Sequence, residues 1–383
     1  MLSPRVAPVA TVSNETHATY HVYLKRGCIF DVSERIHDLG DVNHVLLLTD
    51  DTVYKLYGSE LERRISQAGF QVSRFVFEPR RKKKSLRTAA EIFRLLFVND
   101  ADRNTVVLNV GGGTVGDLGG FVAALYLRGV RYIHVPTTLL SQADSGVGGK
   151  VNVNFGPHLN SLSVFYHPTA VWIDPDVLST LPTREYLSGL AEIVKYAVVL
   201  DPELFVMLEE SHSRLANPGN ELIDEVVFRC IEQKCKIVSQ DPKETGPFRL
   251  FNYGHEIGHA IEVTFDYEHL LHGEAVSIGS VAASWMGVQM GLTEAQLLAR
   301  QCALLTGLGL PITIPETLRK TYTLPRLQRR IRSMLGKDKK RISKGTIWII
   351  PERIGSGVCT TQISPEVVTA CLRKLAEGSG WSM

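Results

Sequence analysis

Between residues 44 and 174, short apolar runs alternate with longer stretches of helical spacing. His44-Val-Leu-Leu-Leu-Thr-Asp50 is apolar at consecutive rather than alternate positions and closes on an acid. Such a run predicts a parallel strand buried on both faces. Residues 54–68 follow with apolar side chains three and four apart, 70–77 return as a strand, 88–97 are helical again, and 105–110 form a third strand. Residues 132–135 and 164–174 read as further strands, and 1–20 as a loose arm. Strand and helix in alternation predict a doubly wound α/β layer over residues 1–180. From Pro182 the spacing becomes mostly helical, notably over 188–197, 221–241 and 252–262, with a strand near 345–350. The second domain, 181–383, is therefore predicted to be mainly α-helical.

Composition narrows the class without deciding it. A chain of 383 residues has length for two domains, each with its own core. Its 44% hydrophobic and 21% charged residues are ordinary globular values. A net charge of +2 offers no broad field for nucleic acid or a membrane surface. The six cysteines, Cys28, Cys230, Cys235, Cys302, Cys359 and Cys371, show no paired spacing, which suits a reducing compartment. No run approaches the ~18 apolar residues of a membrane span. The polar stretch 13–21 shows no export signal. The expectation is a cytoplasmic enzyme that binds neither nucleic acid nor membrane.

The third strand runs into Gly111-Gly-Gly-Thr-Val-Gly-Asp117 and then a helix. Glycines at a strand-to-helix turn let backbone approach a pyrophosphate, and the helix N-terminus supplies N–H groups; a tight turn alone would also use glycine. Asp50, closing an earlier strand, is placed to hold a ribose diol, and Pro136-Thr-Thr-Leu-Leu-Ser-Gln-Ala-Asp144 is a polar loop after a strand, where ligands of such sheets sit. The first domain thus reads as Rossmann-like. The basic run Arg80-Arg-Lys-Lys-Lys84 is either a solvated loop or a contact to cofactor or phosphate. Ser145-Gly-Val-Gly-Gly-Lys150 presents one lysine among glycines, either a surface lysine on a mobile loop or an ammonium aimed at an anion. Asn160 falls in a polar loop. In the second domain Glu192 and Lys195 sit three apart amid apolar neighbours, a candidate buried polar pair. His255 and His259, four apart, share a helix face, and His272 follows shortly after. One glutamate and two histidines make a common catalytic zinc set. His255-Glu-Ile-Gly-His259 also fits the zinc-peptidase pattern, with Glu256 as general base.

The ordered set Gly-Gly-Gly-Thr-Val-Gly-Asp117, Arg128-Gly-Val, Pro-Thr-Thr-Leu-Leu-Ser-Gln-Ala-Asp144, Gly-Gly-Lys150, Gly-Leu-Ala-Glu-Ile-Val-Lys195, Asn252-Tyr-Gly-His with His259-Ala-Ile-Glu262, His272-Gly-Glu-Ala and Asp-Lys-Lys340 resembles the 3-dehydroquinate synthase family and its sugar-phosphate cyclase relatives. The likeness runs from about Thr49 to Ile354 and replaces the peptidase reading; in that family the residue after the first histidine is commonly threonine. It implies an N-terminal NAD-binding domain and a C-terminal metal-binding domain. NAD would be held by Asp50, Lys84, Gly112, Gly113, Thr114, Gly116 and Asp117, with Thr137, Thr138, Leu140 and Asp144. A divalent metal, Zn2+ or Co2+, would be held by Glu192, His255 and His272. The substrate is implied to be a phosphorylated keto-sugar or keto-acid, its phosphate gripped by Lys150, Asn160, His259 and Lys339 or Lys340. Arg128 is implied to come from the partner of a homodimer. Asp144, Lys150, Lys195, Lys234, Asn252 and His259 would form the catalytic surround. The implied reaction is NAD-assisted elimination of phosphate followed by closure of a carbocycle.

Three positions depart from the pattern. The arginine usual four residues before Asn252, where it meets a substrate carboxylate, is replaced by Phe248, with Arg249 one step later. The lysine usual before Asn160 is Leu159. The acid expected near Arg81 to hold the cofactor ribose is absent, and an arginine there would admit NADP. Within the family the expected substrate is 3-deoxy-D-arabino-heptulosonate 7-phosphate; the alternative is a sugar phosphate lacking a carboxylate, such as sedoheptulose 7-phosphate. Asn252 speaks against 2-deoxy-scyllo-inosose synthase, which a glutamate there would suggest. A non-catalytic binding protein on the same scaffold is a third reading.

Overall fold

The computed structural model describes residues 7–13, 19–78, 83–156, 158–335, 341–342 and 345–381. Two compact units divide the chain: Met1–Leu181 with Ile223–Lys243, and Pro182–Leu222 with Glu244–Met383. The segment 223–243, expected in the second domain, thus packs with the first.

The first unit is built on a seven-stranded sheet. Its strands are β1 (Ala10–Ser13), β2 (Thr19–Leu24), β3 (His44–Asp50), β4 (Gln71–Phe77), β5 (Val106–Gly111), β6 (Arg131–Pro136) and, after a hairpin of β7 (Lys150–Phe155) with β8 (His158–Phe165), β9 (Ala170–Ile173). The order across the sheet is β1-β2-β9-β6-β5-β3-β4. All neighbours are parallel except β1 and β2. The consecutive apolar residues of β3 explain its central place. Leu46 and Leu48 face one core, with helices Leu86–Val98 and Gly113–Leu125, while Val45 and Leu47 face the other, with Leu61 and Ile65 of helix Ser59–Gln67. Alternate side chains point to opposite faces, and both faces are covered. Helix Gly113–Leu125 lies unusually close to the sheet: a Cβ on Gly119 would stand 1.8 Å from Asn109 Oδ1.

Two expectations are corrected here. The arm over 1–20 contains an ordered edge strand, β1, paired with β2 in the register Val12↔Tyr20. Both side chains are buried, a two-residue alternation too short to stand out among polar neighbours. Asn160 lies within β8 rather than in a loop, and the run over 164–174 is broken into the end of β8 and β9.

Helix Leu222–Gln240 is fixed to the first unit by side chains at both ends. The Arg26 guanidinium donates to both Asp224 carboxylate oxygens at 2.8 Å, and Lys234 Nζ donates to Asp144 Oδ1 at 2.5 Å.

In the second unit, helices Thr183–Val199 and His272–Gln289 are buried around most of their circumference, as central helices are. His272–Gln289 packs on both Thr183–Val199 and His255–Thr264. The first contact has no room for a side chain at Gly273, whose Cβ would stand 1.8 Å from Ser188 O. Strands Trp348–Arg353 and Ser356–Thr360 form an antiparallel pair in this unit. Among the described residues no helix is long and apolar enough to cross a membrane. Gly273→Ala is expected to destabilise the protein by about 3 kcal/mol through overpacking, read as a lower urea midpoint; an unchanged midpoint would contradict the close crossing.

Candidate active site

The second unit gathers four polar side chains from three helices. Glu192 comes from Thr183–Val199, His255 and His259 from His255–Thr264, and His272 opens His272–Gln289. Ligand atoms of the three histidines lie within 4.8 Å of one another. Glu192 Oε1 stands 3.2 Å from His272 Nε2 and 3.6 Å from His255 Nε2. The expected metal set, Glu192, His255 and His272, is therefore brought together, with His259 beside it.

The outer contacts decide which nitrogen each ring presents. His272 Nδ1 is 3.2 Å from Glu262 Oε2, and His255 Nδ1 is 3.1 Å from the Tyr253 carbonyl. Both acceptors assign the proton to Nδ1 and leave Nε2 facing Glu192, the arrangement that orients histidines on a cation. Burial acts to lower the His272 pKa, but the carboxylates of Glu262 and Glu192 outweigh it and push it up to about 9. Glu192 is also 2.6 Å from Lys195 Nζ, both 1% exposed, and the ammonium lies over the rings of Tyr196 and Phe251. Glu262 carried no role in the sequence reading, although it follows His255 by seven residues and His259 by three, on the same helix face. Glu256 follows His255 by one position, about 100° around the helix, and its charge is felt at Tyr253 and Cys359.

Asn252 ends a 3₁₀ turn, Pro247–Asn252, and its Nδ2 donates to Glu244 Oε1 at 2.6 Å. Glu244 takes a left-handed backbone, φ +59°, rare outside glycine. It was missed because a lone glutamate in a polar loop gives no pattern. Phe248 is 3% exposed and packs edge-on against Phe251 at 5.4 Å. Arg249 Nε donates to the Glu244 carbonyl. Side chains three apart on a 3₁₀ helix are eclipsed, so Arg249 shares the face of Asn252 while Phe248 turns to the core.

In the first unit, Asp50, Gly111 and Pro136 end the neighbouring parallel strands β3, β5 and β6, so the candidate cofactor residues gather at the C-terminal edge of one sheet. Asp50 Oδ1 accepts from Thr52 and Val53 N–H and caps the following turn; burial raises its pKa against those bonds. Gly112 is the N-cap of Gly113–Leu125, whose first turn carries Thr114 and Gly116, with Asp117 following. Thr137 N–H donates to the Gly111 carbonyl, and Thr138 Oγ1 accepts from Ser141 N–H in the turn that includes Leu140 and leads to Asp144. Asp144 is held by Lys234. Lys150 opens β7, where the preceding Gly148 N–H is anchored by the Tyr20 hydroxyl. Lys84 Nζ donates to Asp117, Asn152 and Asn160. Arg128 is exposed, at φ +70°. Lys339, Lys340 and Arg81 lie outside the described residues.

The family model described as 3-dehydroquinate synthase N-terminal matches residues 74–188, and that described as 3-dehydroquinate synthase C-terminal matches 189–341. A 3-dehydroquinate synthase of Rippkaea orientalis is 33% identical over 358 residues, 93% of this chain and 96% of that protein. One from Prochlorococcus marinus is 37% identical over 342 residues, 88% of this chain and 92% of that protein. Among solved structures, 2-epi-5-epi-valiolone synthase from Streptomyces hygroscopicus, with NAD+ and Zn2+ bound, superposes with a TM-score of 0.83 at 28% identity, covering 94% of this chain and 98% of that one. A 2-deoxy-scyllo-inosose synthase shares the fold with a TM-score of 0.84 at 22% identity, over 95% and 99%. With both halves of the pattern matched in order across most of its length, the chain belongs to the 3-dehydroquinate synthase family.

Proposed function

We propose that this chain is an NAD- and metal-dependent carbon–oxygen lyase that converts 3-deoxy-D-arabino-heptulosonate 7-phosphate to 3-dehydroquinate and inorganic phosphate. The observation that carries the reading is the convergence of Glu192, His255 and His272, each histidine oriented through its Nδ1, around a point suited to one divalent cation. One carboxylate and two imidazoles suit Zn2+ or Co2+ and leave coordination open for a substrate oxygen. The strand ends at Asp50, Gly111 and Pro136, with the glycine-capped helix after Gly112, suit NAD. When bound, NAD+ supplies a reversible hydride acceptor for one ring hydroxyl, and the cation an electrophile for that oxygen.

The side chains account for the other demands of the reaction. Oxidation beside a C–H bond acidifies it. A base takes the proton, the electrons of that C–H bond form a C=C bond, and the phosphate leaves with the electrons of its own C–O bond. The hydride is then returned, and the ring opens and closes by an intramolecular aldol step. Lys150, Asn160 and His259 are assigned to the leaving dianion, with Lys339 added by family pattern alone. Lys195 is assigned to the ring hydroxyls, its charge balanced by Glu192. Asp144 and Lys234, paired at 2.5 Å, and Asn252, oriented by Glu244, complete the hydroxyl contacts. Arg128 is assigned to the partner's site in a homodimer. Exposed Phe97, Val98 and Leu125 near its turn support a second copy as the occupant of that surface, since Phe97 lies against Tyr126 at 5.2 Å. The pathway assignment that follows is the shikimate route to aromatic amino acids, in the cytoplasm.

Phe248 favours the alternative substrate, sedoheptulose 7-phosphate, because an arginine is missing there. Its burial against Phe251 weakens that argument, and the eclipsing of Arg249 with Asn252 supports recognition of a carboxylate. With NAD+ and Zn2+ supplied, phosphate release is expected from the heptulosonate phosphate and not from sedoheptulose 7-phosphate. Release from the second alone would remove the dehydroquinate assignment; silence with both would remove the catalytic one. Arg249→Ala is expected to raise KM for the heptulosonate phosphate about 10- to 100-fold, the loss of one charge-assisted contact worth roughly 1.5–3 kcal/mol. An unchanged KM would place the carboxylate elsewhere.

A further inference from the structure

The carbonyl that orients His255 belongs to a turn with only one form suited to the task. Tyr253 has φ −53° and ψ 126°, and Gly254 has φ +79° and ψ −11°. These are the angles of a type II turn over residues 252–255. Type II differs from type I by a flip of the central peptide, here the one joining Tyr253 to Gly254. In the observed form that peptide's carbonyl accepts from His255 Nδ1 at 3.1 Å. Flipped, it would point away and turn its N–H to the imidazole instead. Gly254 admits the positive φ, and it lies so close to helix His272–Gln289 that a Cβ would stand 2.7 Å from Ser280 N. From the facing side, a Cβ on Gly279 would stand 2.1 Å from the Gly254 carbonyl oxygen.

The side chain of Tyr253 runs to the same helix. Its hydroxyl oxygen is 2.8 Å from the Ser280 carbonyl and 2.6 Å from Ser284 Oγ, and it reaches Gln301 Oε1 of helix Ala295–Gly307 at 3.0 Å. Ser284 Oγ donates to Gln301 Oε1 at 2.7 Å, and Gln301 Nε2 donates to Ser280 Oγ at 3.0 Å. Tyr253, Ser284 and Gln301 are 0% exposed. A buried polar network whose members are satisfied rigidifies what it joins. We propose that Tyr253 is a positioning residue for the metal centre: its hydroxyl, fastened to the helix that begins with His272, holds the turn whose carbonyl aims His255 Nε2 at the cation. The inference rests on the reading of His255 as a metal ligand. One helix then sets both histidine ligands, His272 directly and His255 through Tyr253.

The Zn2+ affinity of the metal-free full-length protein, measured by competition with a chromophoric chelator and without substrate, tests this apart from turnover. Tyr253→Phe keeps the ring, removes the hydroxyl and is expected to weaken Zn2+ binding about tenfold, as loss of an outer partner of a ligating histidine does. Leu375→Ala is the comparison, at a buried position of helix Pro365–Glu377, which supplies no ligand. It is expected to lower the urea midpoint at least as far as Tyr253→Phe while Zn2+ affinity stays at the wild-type level. Ser284→Ala removes one partner of the hydroxyl and is expected to bind Zn2+ with an affinity between wild type and Tyr253→Phe. The double variant is expected to bind no more weakly than Tyr253→Phe, because both changes act through one hydroxyl. Wild-type affinity in Tyr253→Phe, or in Ser284→Ala should the first variant not fold, would overturn the inference. An equal loss of affinity in Leu375→Ala would also overturn it, by showing a general loosening of the unit. His255→Ala separates the inference from the reading beneath it: wild-type Zn2+ affinity in that variant would remove His255 from the ligand set, and the metal-site reading would fail first.

Discussion

The second unit depends on how it keeps one carboxylate charged in its interior. Glu192 is 1% exposed, and an ionised carboxyl at such a position is costly unless neighbours compensate it. Lys195 supplies one compensating charge from the same helix, and His272, itself held by Glu262, faces the carboxylate from another. Two carboxylates, one ammonium and the His272 imidazole face one another as a set, and each belongs to a helix otherwise packed with apolar side chains. The contact between helices His272–Gln289 and Thr183–Val199, with no space for a Cβ at Gly273, brings the two ends of this set together. Packing and chemistry are therefore the same constraint: the helices approach closely enough to place His272 beside Glu192, and the charges make that burial tolerable.

The first unit solves a different problem, the presentation of backbone N–H groups and polar side chains at one edge of a sheet. Its strands are apolar along their length because both faces are covered, so only their ends are left for ligands. Two buried lysines organise that polar edge: Lys234 holds Asp144, and Lys84 holds Asp117 with two asparagines. Neither ammonium is spread over solvent, so both act as fixed struts.

Much of this was legible in the sequence because the signals were long or periodic. Consecutive apolar residues marked β3, the glycine cluster marked the turn after β5, and histidines four apart with a third soon after marked the trio. What stayed hidden depended on geometry that spacing does not carry. A one-residue shift from Phe248 to Arg249 is absorbed in a loop but turns the side chain to the opposite face on a strand, and spacing does not tell the two apart; on the 3₁₀ turn it aligns Arg249 with Asn252. Asn160 reads as loop because nothing in the residue type announces a left-handed position inside β8. The allegiance of Leu222–Gln240 to the first unit rests on long-range pairs, Arg26 with Asp224 and Asp144 with Lys234, which no local pattern encodes. Glu244 and Glu262 were overlooked for the same reason: each acts on another side chain.

The most direct measurement is anomalous diffraction at the zinc edge from crystals of the protein grown with Zn2+ and NAD+. The account predicts one strong peak about 2.0–2.2 Å from Glu192, His255 Nε2 and His272 Nε2, with Nδ1 of His272 still bonded to Glu262. A peak bound through His259 and Glu256 instead, or no peak among the three helices, would contradict it.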